Sequence, residues 1–215
     1  MTSAAPLLWS AVVPVKLLAL AKSRLASFGD TARAELALAF ADDVVTALLQ
    51  CPRVREVLVV TDDVRAADAL RRSRTRVLPD RPGAGLNAAL RRGADLLAAD
   101  RPDRGVVALA SDLPALQPGD LARVLDQVRG RGFVADAEAV GTTVLAAAPG
   151  SALDPAYGPG SRRAHLASGA VELAAPPALR RDVDTPEDLR EALLLGVGPR
   201  TARVTARLAD VRRPA

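Results

Sequence analysis

The chain has 215 residues, 49% of them apolar, 2% aromatic and 25% charged, with a formal net charge of +4. That length suits one soluble domain, and a core so poor in aromatics must be built from Ala, Val and Leu. The small net charge, scattered over Arg doublets, weighs against nucleic acid, the lone Cys51 excludes an intramolecular disulfide or a Cys-based zinc cluster, and no run reaches the ~18 apolar residues of a membrane span.

Apolar runs bounded by turn residues recur along the chain and read as strands buried on both faces. The first, "SAVVPV", ends in Lys16 and leads into "KLLALAKSRL"; Lys16 and Lys22 are the only lysines among 29 basic residues. An amphipathic segment, Thr31 to Leu49, is predicted as a helix, then "EVLVVTD" as a strand and Val64 to Arg72 as a helix. The dense "RRSRTR" patch that follows reads as a solvated helix end. "RVLPD", a helix over Leu86 to Ala99, the strand "GVVALASD" and a helix over Gly119 to Val128 complete a β-α repeat that calls for right-handed crossovers and a mainly parallel sheet.

The second half changes rhythm. "GFVADAEAVGTTVLAAA" reads as two strands close together, followed by the loop "APGSALDPAYGPGSRRAH", whose Pro and Gly content argues against a helix. A short strand around Val171 to Leu173 and a strand at "RRDVDT" precede a helix over Pro186 to Leu195. Thr185 as N-cap, Pro186 in the first position and Asp188 as the capping-box acid mark its start. The tail, residues 196–215, is expected to be peripheral.

In open parallel sheets, ligands gather beyond the carboxyl ends of the strands. No Gly-rich phosphate loop of the dinucleotide or Walker type is present, but Lys16, Lys22 and Arg24 put three cations beyond the first strand, suited to an anionic ligand. "ALASDLPAL" delivers Ser111 and Asp112 to the end of a central strand, where a carboxylate suits Mg²⁺. In "RRDVDT", Asp182 and Asp184 are expected on opposite sides of a strand, one completing the metal site and the other supporting the loop. Gly141, Thr142, Gly158, Gly160 and Ser161 offer backbone N–H groups and hydroxyls to a small carboxylate or phosphate, and His165, the single histidine, reads as structural or positioning.

"PVKLLALAKSRL", "GLNAAL", "SDLPAL", "GTT", "YGPGSRRAH" and "DVDTPEDL", in that order and over nearly the whole chain, resemble the guanylyltransferases of coenzyme F-420 biosynthesis that act on 2-phospholactate or phosphoenolpyruvate. The resemblance implies a single-domain, Rossmann-like α/β fold of the nucleotide-diphospho-sugar transferase type with a mostly parallel mixed sheet. It implies that Lys16, Lys22 and Arg24 meet the GTP phosphates, that Asn87 lies near the nucleoside, and that Asp112 with Asp182, Asp184 or both holds Mg²⁺. Thr142, Gly158 and Ser161 would bind the three-carbon phosphorylated acid, with Lys16, Lys22 and Asp112 acting in catalysis. Tyr157 stands where Phe is more usual, and Ser111 where Gly or Ala is. The expectation is a cytoplasmic enzyme moving GMP from GTP to phosphoenolpyruvate, with small-molecule partners and with 2-phospholactate or 3-phosphoglycerate as alternative acceptors. A cytidylyl- or sugar-nucleotide transferase and a non-catalytic nucleotide-binding regulator of the same fold stay open, as does a homodimer.

Overall fold

The computed structural model describes residues 6–80 and 83–211. Its centre is β1 (Trp9–Pro14), whose Trp9, Ala11, Val12 and Val13 are completely buried. Such a run can only be an interior strand, and β1 pairs in parallel with β2 (Val54–Val60) on one side and β4 (Gly105–Leu109) on the other. β3 (Thr75–Leu78) continues the parallel part beyond β2. On the far side, β6 (Thr142–Ala147) lies antiparallel to both β4 and β5 (Arg131–Ala135), and the two-residue β7 (Val171–Glu172) closes the edge beside β5. The order is β3-β2-β1-β4-β6-β5-β7, a mostly parallel mixed sheet as expected.

Period-two alternation sorts β1 between two cores. Trp9, Ala11 and Val13 pack with α1 (Asp30–Gln50), α2 (Val64–Leu70) and α4 (Pro118–Leu125), whereas Val12 meets Leu90, Ala94 and Leu97 of α3 (Leu86–Asp100). α3 comes so close that a Cβ on Gly93 would stand 2.8 Å from a Val12 methyl. A third cluster joins Leu36 and Phe40 of α1 to Val183 and to Leu189 and Ala192 of α7 (Pro186–Leu195), which starts with the anticipated Thr185–Asp188 capping box.

Two expectations are corrected, and that for the tail is made more specific. "RRDVDT" is not a strand: after α6 (Pro177–Arg180), a short helix that the sequence reading does not anticipate, it runs as an extended link whose Val183 N–H donates to the Asp112 carbonyl at 3.0 Å. The end of the Pro/Gly loop is helical, α5 (Ser161–Ala167), because Gly158, Pro159 and Gly160 all lie before its first residue. Part of the tail is helix α8 (Pro199–Val211), docked on α1; the residues beyond 211 lie outside the described ones.

Docking of α8 has a definite physical cause. Asp43, buried on α1, accepts from the Arg200 N–H at 3.0 Å and the Thr201 N–H at 2.8 Å, filling two of the amide groups that a helix start leaves unpaired. Its neighbour Asp42 pairs with Arg200 at 3.1 Å and also with Arg72. Asp43→Ala is expected to destabilise the fold by about 2 kcal/mol, the penalty for leaving a buried donor unpaired. Urea denaturation measures the loss, and faster hydrogen exchange at Arg200 and Thr201 locates it; unchanged stability would mean that apolar packing alone seats α8.

Candidate active site

A cleft of about 710 Å³ opens beyond the carboxyl ends of β1 and β4, within the size range of small-molecule sites. Its wall includes Lys16, Lys22, Arg24, Ser111, Asp112, Thr142, Gly158, Ser161, Asp182 and Asp184, residues drawn from five separate stretches of sequence.

The cationic side is shaped by a tethered loop. After β1, Leu18 donates its N–H to Asp63 Oδ2 at 2.9 Å, and Arg33 reaches back from α1 to the Ala21 and Ala19 carbonyls at 2.5 and 3.0 Å. Lys22 then takes a left-handed backbone, φ 56°, ψ 45°, just before the 3₁₀ segment Ser23–Phe28. A non-glycine residue in that region costs about 1 kcal/mol or more, so something must hold it there. The holder is electrostatic: Lys22 Nζ bonds Asp112 Oδ2 and, at 2.8 Å, Asp184 Oδ1, with its side chain only 11% exposed. Arg24 stands 3.7 Å from Asp184, and Lys16, exposed, makes no ion pair among the described residues.

The acidic side comes from two backbone segments stitched by the Val183–Asp112 bond. An extended chain repeats every two residues, so Asp182 and Asp184 share the cleft side while buried Val183 turns into the core; the expected opposition of the two acids does not occur. Burial, then the charges of Asp112 and Asp184, push the Asp182 carboxyl up to about 7. Burial acts the same way on Asp184, but Lys22, Arg24 and Lys16 outweigh it and hold that carboxyl below its ordinary range. For Lys22, burial disfavours the charge and the two acids more than restore it, so the amine is held well above its usual range.

These donors fit one kind of cation. Asp112 Oδ1 is buried without a hydrogen-bond partner, and Asp182 is an acid crowded by like charges. Among the described residues, however, no three His, Cys, Asp or Glu side chains close into a full coordination cage. Hard oxygens in so incomplete a set suit a metal that takes one or two carboxylates and completes its shell with phosphate oxygens and water, as Mg²⁺ does.

The opposite wall comes from the β5–β6 hairpin and the loop before α5. Asp136 accepts from the Val140 and Gly141 N–H groups at 2.8 and 2.7 Å, and a Cβ on residue 141 would fall 2.3 Å from Asp136 Oδ2, so only glycine fits. Thr142 follows at the start of β6, and Ser161, 2% exposed, begins α5. Asn87 is placed differently from the other candidates: its side chain donates to the Tyr157 carbonyl at 2.9 Å and accepts from the Tyr157 N–H at 2.7 Å, tethering the loop, while its neighbour Leu86 lines the cleft. Asp63, Arg33 and Asp136 escaped the sequence reading. Asp63 carried one signal, its N-cap position on α2, where it also accepts from the Ala66 N–H.

Residues 9–209 match the family described as guanylyl transferase CofC like. A phosphoenolpyruvate guanylyltransferase of Thermomonospora curvata is 54% identical over 208 residues, covering 95% of this chain and 91% of that protein. One from Streptomyces coelicolor is 56% identical over 205 residues, covering 93% and 97%. Among solved structures, one from Desulfovibrio desulfuricans G20 assigned to the nucleotide-diphospho-sugar transferases superposes with a TM-score of 0.67 at 17% identity, over 96% of this chain and 99% of that one. A 4-diphosphocytidyl-2C-methyl-D-erythritol synthase gives 0.57 at 14% identity, over 87% and 98%. At such low identity these two structures speak for the fold alone, which is that of the nucleotide-diphospho-sugar transferases. Since the family match and the closely similar relatives span nearly its whole length, the chain belongs to the CofC-like guanylyltransferases.

Proposed function

We propose that this protein transfers GMP from GTP to phosphoenolpyruvate, giving enolpyruvyl-2-diphospho-5'-guanosine and pyrophosphate, as a Mg²⁺-dependent enzyme of coenzyme F-420 biosynthesis. One observation carries the reading: within a single cleft, Lys16, Lys22 and Arg24 face Asp112, Asp182 and Asp184, with Thr142, Gly158 and Ser161 beyond them. Relatives named phosphoenolpyruvate guanylyltransferase support the choice of acceptor. GTP and phosphoenolpyruvate are cytoplasmic metabolites, so we assign the reaction to the cytoplasm.

The chemistry asks for positioning and charge neutralisation rather than a base. A phosphate monoester carries about −1.5 to −2 charges at neutral pH, so its oxygen attacks the α-phosphorus of GTP directly. One P–O bond forms there as the bond to the pyrophosphate oxygen breaks. Lys16, exposed and uncommitted, meets the departing pyrophosphate, and Arg24 adds a second charge at the mouth. Lys22 keeps its proton throughout, because Asp112 and Asp184 hold it charged against the cost of burial. Thr142, Ser161 and the backbone at Gly158 receive the anionic ends of the acceptor. Asp112, with Asp182 or Asp184, is the set that would hold Mg²⁺, whose chemistry when bound is to neutralise charge on the α-phosphate oxygens.

Purified protein given GTP and Mg²⁺ is expected to release pyrophosphate with phosphoenolpyruvate and to yield a product of the enolpyruvyl diphosphoguanosine mass. Chelation should stop the release and added Mg²⁺ restore it. Release only with 2-phospholactate or 3-phosphoglycerate would reassign the acceptor, and none with any of the three would remove the proposal.

Asp112→Asn and Lys22→Ala are each expected to lower turnover by roughly a hundredfold or more, the scale of losing one charge-stabilising contact in a transition state. Pyrophosphate release read beside a thermal melt separates that loss from unfolding. Asp182→Asn should slow turnover while raising the melting temperature of the ligand-free protein, because it removes one of three converging negative charges. A lower melting temperature would show that the Asp182 charge supports the fold.

A further inference from the structure

Behind the acceptor wall runs a buried polar chain that the mechanism above leaves unused. His165, the only histidine of the chain, lies on α5 and is fully buried. The Ala156 N–H donates to its Nε2 at 3.0 Å, and its Nδ1 stands 2.9 Å from Thr142 Oγ1. A backbone N–H can only donate, so Nε2 carries a lone pair and the proton of the neutral ring resides on Nδ1. Burial, then the charge of Arg131, hold the imidazole below its ordinary range, so the neutral ring is the relevant form. Tyr157, edge-on at 5.5 Å, and Phe133, tilted at 5.6 Å, fix its plane in a chain with only one Tyr, one Trp and three Phe.

The Nδ1 proton decides what Thr142 shows to the cleft. With Nδ1–H donating, the Thr142 hydroxyl accepts from His165, and its own proton finds no acceptor among the described residues, at a residue that lines the cleft. We propose that His165 is a positioning residue for the acceptor: by holding the Nδ1–H tautomer, it turns the Thr142 hydroxyl proton into the cleft as a donor to an anionic oxygen of the three-carbon acid. In the opposite tautomer, Thr142 would donate to Nδ1 and present lone pairs to an anion, which repels it. The identity of the ligand rests on the function proposed above; the tautomer does not.

A single histidine makes the first measurement clean. Protein labelled with ¹⁵N-histidine, free of substrate at neutral pH, should show one imidazole with Nδ1 protonated and Nε2 bare. A ring protonated on Nε2, alone or together with Nδ1, would overturn the proposal. The second measurement uses two variants that split the ring's contacts. His165→Gln keeps an amide oxygen within reach of the Ala156 N–H but removes the donor to Thr142, whereas His165→Asn places an amide N–H at the Nδ1 position. His165→Gln is expected to raise the KM for the acceptor about tenfold, the effect of one hydrogen bond to a charged group, with kcat and the KM for GTP within about twofold. His165→Asn should raise it far less. Equal acceptor KM values in the two variants, or a matching rise in the KM for GTP, would make His165 a packing residue only. Whichever three-carbon acid is turned over serves in the kinetics, and the tautomer is read without substrate, so failure of phosphoenolpyruvate as acceptor and failure of this proposal are told apart. If either variant does not fold, the tautomer of the labelled parent protein still tests the proposal, since a ring protonated on Nε2 overturns it.

Discussion

Lys22 sits where three distant stretches of chain meet, bonded to Asp112 and Asp184, which lie 90 and 162 residues further on. Without that ammonium, three carboxylates would converge on one partly buried space with only exposed charges to oppose them. The same contacts hold Lys22 in a backbone conformation that a non-glycine residue otherwise avoids. Strain in the loop and repulsion among the acids therefore relieve one another. The ligand-free protein carries its own counter-cation at the place where a nucleotide and its metal would bring charge, so the fold tolerates an acid cluster that the chemistry requires.

The sheet explains why such a convergence is available. In the parallel half, β1 and β4 end side by side, so the loop carrying Lys22 and the turn carrying Asp112 emerge at one edge. β6 runs antiparallel to β4, and its first residues therefore arrive at the same edge, bringing Thr142 opposite Asp112. A purely parallel sheet would have sent that strand's start to the far side. The reversal of direction at β6 is thus what gives the cleft a second wall.

That second wall is held by side chains that bond backbone rather than ligand. Asn87 grips Tyr157 from α3, His165 grips Ala156 from α5, and Asp136 closes the hairpin through Val140 and Gly141. Both ring nitrogens of the buried His165 have a partner, as buried polar groups do where water is excluded. A loop rich in Gly and Pro is thereby tethered at Ala156 and Tyr157 without regular structure of its own there.

The sequence alone determined the strands and the four helices of the β-α half, the capped start of α7 and the ends of β1 and β4 as the place for charged groups. Those features are written in apolar runs, turn residues and cap residues only a few positions apart. The expected partition of Asp182 and Asp184 failed because residues two apart share a side in a strand as in any extended chain, so the period-two rule itself puts both acids in the cleft. α5 and α8 escaped for different reasons: a Gly-Pro-Gly approach disguised the start of the first, and the acids that anchor the second lie on α1, about 157 positions away. Tertiary structure also decided that Asn87 tethers a loop, that Lys22 bridges two acids and that His165 protonates on Nδ1. Each depends on which backbone group or charge arrives from a remote segment, and no local pattern of residues encodes that arrival.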